Sequence, residues 1–149
     1  MESEKKKAKA PATKLPRTRT VTEKQAAAEL GRRAKKVTDD DVKVVLDRAD
    51  DIRSKFESAG PLGRFLKDAK LMLAIVKDYW SGAYREIPWW SIASVVAALI
   101  YVINPFDLIP DIIPVIGLLD DAAVVAACLL LVEQDLHQYG EWKIAQAEI

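Results

Sequence analysis

Hydrophobic and polar positions alternate with helical period along most of this chain. Val42, Val45, Leu46, Ala49, Ile52 and Phe56 share one stripe, with Asp47, Arg48, Asp51 and Lys55 opposite. Thr38 stands as N-cap with Asp41 three residues on, and Val37 and Val42 have the spacing of a hydrophobic staple, which predicts a helix from 38 to about 58. Gly60-Pro61 stops it and opens a third helix over 61–81. There Leu62, Phe65, Leu66, Ala69, Met72, Leu73, Val76 and Trp80 form the apolar face, and Arg64, Lys67, Lys70 and Lys77 make the other face basic, suited to anionic lipid or to ordinary solvation. An Ala-rich helix over about 23–36, begun by the Thr22–Gln25 capping spacing, precedes both.

After Arg85 the pattern changes. Residues 87–106, IPWWSIASVVAALIYVINPF, contain no charge and are apolar on every side, as in a helix central to a core or set in a membrane. Pro88 suits its first turn and Asn104-Pro105 ends it. About 16 residues rise about 24 Å, short of the roughly 30 Å hydrocarbon layer, so it could span only a thin or deformed bilayer. Trp89 and Trp90 at one end and Tyr101 at the other have the placement of an interfacial belt. A second apolar helix, 122–132, is too short to cross unaided. No strand alternation, phosphate loop or internal repeat occurs. The expected fold is all-α, a small helical bundle with a hydrophobic helical hairpin, 88–138, joined by a Pro/Asp-rich turn.

Charge refines this picture. The formal net charge is zero, but residues 1–36 carry a net +8 and residues 37–149 a net −8. A basic arm on an acidic body attracts phosphate, whether of lipid or nucleic acid. The acidic remainder and the lack of aromatic residues in the arm weigh against nucleic acid. Residues 1–20, with few large apolar side chains, read as a disordered basic tail. Residues 21–58 read as accessory helices, 59–140 as the principal helical domain and 141–149 as a C-terminal tail. The charged N-terminus has no apolar signal region, which places it in the cytoplasm. Cys128, the single cysteine, excludes an intrachain disulfide and reads as an apolar-helix residue.

The candidate chemistry lies in the turn, NPFDLIPDIIPVIGLLDD. Pro105, Pro110 and Pro114 prevent one continuous helix, and Asp107, Asp111, Asp120 and Asp121 stand among apolar residues in a stretch without Lys or Arg from 86 to 142. These carboxylates suit capping of the backbone in a tight turn, with Asp120-Asp121 where a helix dipole favours negative charge. Alternatively they supply oxygen ligands for Mg²⁺ or Ca²⁺. No nucleophile, base or phosphate cradle accompanies them, so no enzymatic activity is expected. His137, four residues after Glu133, has metal-ligand spacing but reads as an exposed residue with a helical neighbour.

The stretch REIPWWSIASVVAALIYVINPFDLIPDIIPVIGLLDDAAVV resembles the YkvA-like family, bacterial domain of unknown function 1232. The family pattern falls on Tyr101, Pro105, Asp107, Ile109, Pro110, Asp111, Pro114, Gly117, Asp120 and Asp121. The resemblance covers residues 85–125 and implies a small protein, often treated as a membrane protein, with no established activity. The expectation is a membrane-associated structural or adaptor protein at the cytoplasmic membrane, with lipid and an unknown protein as partners and an undetermined oligomeric state. The alternative is a soluble bundle that binds a divalent cation or a protein through the Asp loop.

Overall fold

The computed structural model of the chain describes residues 16–58, 60–103 and 121–147, with side chains from Lys24 onward. The described residues form seven α-helices and no strand: α1 (Pro16–Ala34), α2 (Asp39–Asp47), α3 (Ala49–Glu57), α4 (Leu66–Ser81), α5 (Trp89–Ile103), α6 (Asp121–Leu131) and α7 (Glu133–Ala147). The all-α expectation holds. A 3-10 turn, Pro61–Phe65, leads into α4.

Local signals explain most of the starts. At α2 the Asp41 carboxylate accepts the Thr38 backbone N–H at 2.9 Å and the Thr38 hydroxyl at 3.2 Å. Val37 and Val42, the two staple residues, are both buried. The expected single helix over 38–58 is divided at Arg48, whose backbone (φ −108°, ψ 23°) leaves the α region, yet the apolar stripe continues through Ile52 and Phe56. The first helix begins earlier than its Thr22–Gln25 signal, at Pro16, and the last runs on to Ala147, past the position 141 where a tail was expected. At the end of α4, Gly82 takes a left-handed conformation (φ 89°) and returns its N–H to Tyr79 O, turning the chain toward α5.

The central element is α5. It packs against α1, α2, α3, α4 and α6, and twelve of its residues, Ser91 through Val102, are buried. Small side chains at Ser91, Ala93, Ser94, Ala97 and Ala98 let neighbouring backbones come close. Its buried hydroxyls are satisfied: Ser91 donates to Asp135 Oδ2 at 2.6 Å and Ser94 to Trp90 O at 2.9 Å. The Cys128 thiol of α6 donates to Ser94 O at 3.6 Å. All-round apolarity is thus met by protein on all sides. The expectation of a transmembrane helix in a hairpin, 88–138, that enters or contacts the membrane is corrected on the first point: no described helix is long and apolar enough to cross a membrane. At 15 residues α5 rises about 22 Å, less than a hydrocarbon layer.

Candidate functional site

The end of α5 and the start of α6 flank the Pro/Asp-rich stretch of the sequence. Asp107, Asp111 and Asp120 lie outside the described residues, as do the three prolines. Asp121 stands in the first turn of α6, half-buried, where the helix dipole favours a carboxylate. Among the described residues no three potential ligands gather into a metal-binding group.

Helix α1 docks here because Ala26, Leu30 and Arg33 repeat at helical spacing and bury one face of the helix, which packs against α5 and α6. Arg33 is therefore an inside residue, 2% exposed. Its guanidinium lies 4.5 Å from the centroid of the Tyr101 ring, and its Nε donates to Glu29 at 3.0 Å. Glu29 also accepts from Arg32. Burial lowers the Arg33 pKa, while the Glu29 carboxylate opposes that shift and holds the charge in place. Tyr101, a member of the family pattern, is itself fully enclosed. The sequence reading counted Arg33 within a basic arm facing lipid. The helical spacing that it shares with Ala26 and Leu30 is the signal that it points inward.

A second polar cluster ties α7 to α4. Tyr139 donates its hydroxyl to Asp78 Oδ2 at 2.5 Å, and Lys143 Nζ lies 3.0 Å from the same oxygen. Partial burial pushes the Asp78 carboxyl up, but the Tyr139 hydroxyl and the Lys143 ammonium outweigh it and hold the pKa below the usual carboxylate range. Tyr139 also sits 5.1 Å edge-on to Tyr84 and stacks on Trp142 at 5.8 Å. Tyr139 and Lys143 are more than 60 residues from Asp78 in sequence, so no local spacing announced these contacts.

An open groove of about 500 Å³ runs between α4 and the α6–α7 pair, with Leu71, Leu130, Leu136 and Ile144 on its walls and Glu133 and His137 at its rim. His137 is 3.3 Å from Glu141, not Glu133, and both partners are exposed. The opposite end of α4 and the start of α5 carry Trp80, Trp89 and Trp90, which are 38%, 39% and 52% exposed.

Comparison with known proteins gives one family. Residues 91–127 match the family described as protein of unknown function (DUF1232). Over 70 residues the chain is 33% identical to the uncharacterized membrane protein YkvA of Bacillus subtilis (strain 168). That match covers 47% of this chain and 66% of the relative, just under two thirds of its length. No solved structure matches the chain. The matched span takes in most of α5, the Pro/Asp-rich stretch that follows it and the first turns of α6, and over that span the chain is similar to the family of unknown function DUF1232.

Proposed function

We propose that the protein is a structural or adaptor element that rests on a membrane surface as a folded helical bundle, without inserting its apolar hairpin. The observation behind this reading is the enclosure of α5 by five other helices, which leaves its apolar surface no reason to seek lipid. Membrane contact is supported by the relative's description as a membrane protein and by the basic N-terminal segment, net +8 over residues 1–36. Each well-placed basic residue near an anionic surface contributes about 1 kcal/mol. Because Arg33 is buried, that hold falls to the exposed members of the segment. An adaptor role is supported by the way the described polar clusters are used: Asp78, Tyr139 and Lys143 join helices, and Glu29 and Arg33 brace the core.

The test is fractionation of the full-length protein. Membranes are washed with high salt and then with alkaline carbonate, and the protein is followed by immunoblot. A surface-bound bundle leaves the pellet in one of these washes. Retention through carbonate would mean an inserted segment and would overturn the reading. Complete absence from the membrane pellet before any wash would remove the membrane role altogether.

A further inference from the structure

We infer that the end of the bundle formed by the α4–α5 connection is a lipid-docking face, with Trp80, Trp89 and Trp90 seated in the interfacial layer of an anionic membrane. This inference rests on the membrane reading above and names the surface that would serve it.

Three of the four tryptophans in the chain stand exposed here, on two helix ends joined by one short loop. Their placement is built into the fold. Gly82 turns the chain, and Tyr84 and Ile87, both buried, pin the loop between the helices. The Tyr84 N–H bonds to Asp78 O at 3.1 Å, and the Arg85 Nε donates to Tyr79 O at 2.6 Å. Tyr79 and Trp89 are 6.3 Å apart, the Arg85 guanidinium lies 4.8 Å from the Tyr79 ring, and the Lys43 ammonium 5.8 Å from the Trp80 ring. A pinned scaffold therefore presents indoles to solvent, which costs free energy unless something covers them.

The chemistry of the cover follows from the neighbours. Indoles favour the headgroup layer of a bilayer, where the ring is half desolvated and the N–H keeps a partner. Cations stand beside the rings at Lys43 and Arg85, and exposed Lys77 lies about one turn before Trp80 on α4. Glu86 is the one acid from 79 to 90, while two further carboxylates at this end are engaged, Asp78 by Tyr139 and Lys143 and Asp135 by the Ser91 hydroxyl. The chain beyond residue 36 is net −8, so a cationic edge bearing three indoles is complementary to anionic lipid and unlike the rest of the body.

The experiment uses the full chain carrying Trp142→Phe, so that fluorescence reports the three indoles of this face. Vesicles of mixed phosphatidylglycerol and phosphatidylcholine are compared with vesicles of phosphatidylcholine alone, by flotation and by emission maximum. Binding to the mixed vesicles with a blue shift is expected. Combined Trp80→Ala, Trp89→Ala and Trp90→Ala should weaken flotation by about tenfold or more, given the indole area withdrawn from water. Lys43→Glu with Lys77→Glu should abolish the preference for phosphatidylglycerol, and this second variant decides the matter if circular dichroism finds the first unfolded. Binding without a blue shift, or undiminished by both sets of changes, would overturn the assignment of this face and leave the membrane reading intact. Failure of the unsubstituted chain to float with either vesicle would overturn both.

Discussion

Replacing Tyr139 with Phe removes one oxygen from a fully enclosed ring and leaves its packing against Tyr84 and Trp142 in place. The lost contact is a 2.5 Å hydrogen bond to a carboxylate whose side chain is only 14% exposed. A hydrogen bond to a charged group contributes about 1.5–3 kcal/mol. Asp78 keeps Lys143, so the lower part of that range, about 1.5–2 kcal/mol, is expected for Tyr139→Phe. Lys143 is half exposed, and Lys143→Ala should cost only about 0.5 kcal/mol. Urea unfolding gives both values as shifts in midpoint at unchanged slope. The pH dependence carries the sharper test. The folded-state pKa of Asp78 is depressed, so its stabilisation is present above the unfolded value of about 3.9 and is lost as pH falls through the lower folded value. The gap between the parent protein and Tyr139→Phe should therefore be full near neutrality and shrink in acid. In an Asp78→Asn background the Tyr139→Phe cost should fall. A gap below about 0.3 kcal/mol at neutral pH, or one that stays constant through the acid range, would refute the account of this cluster.

Three further outcomes follow from the core and the turns. Arg33→Ala should destabilise the fold by about 3 kcal/mol, because it strips a packed stem and its charge from the partly buried Glu29; a purely lipid-facing arginine would leave the urea midpoint unchanged. Cys128, whose thiol burial pushes up to about 12, should resist Ellman's reagent in the native state and react only as fast as the protein unfolds. Its folded-state pKa is raised, so it costs stability as pH climbs above the unfolded value of about 8.5, visible as a falling urea midpoint in alkali. Gly82→Ala should cost about 1–2 kcal/mol by calorimetry from backbone strain alone, since no atom lies within 4 Å of the added methyl.

What was legible in the sequence divides along a physical line. Short-range signals were readable: the Thr38–Asp41 cap, the Val37–Val42 staple, the Gly60-Pro61 stop and the stripe from Val42 to Phe56. Helix α5 was legible as a helix, but its uniform apolarity fits a protein core and a bilayer equally, and only the five neighbours decide between them. Pairings across 60 residues and more, such as Tyr139 with Asp78 and Arg33 with Tyr101, leave no periodic trace. Arg33 shows how a charge count misleads, because a total over residues 1–36 is blind to the direction each side chain takes. The exposed indoles were half legible: Trp89 and Trp90 suggested an interfacial belt, but as the end of a spanning helix, and Trp80 fell on an apolar helix face that suits lipid and a protein core alike.

The burial of α5 bears on how the family segment can be handled. Residues 91–127 are the recognisable unit, yet most of what encloses α5 comes from α1 to α4, before that span begins. Excised alone, the segment would bare a dozen side chains to water at once and would clump or seize whatever apolar surface was at hand. A truncated fragment found in membranes would then report its own exposed greasiness rather than the behaviour of the intact chain. The span that matches the family model is smaller than the unit that packs around α5.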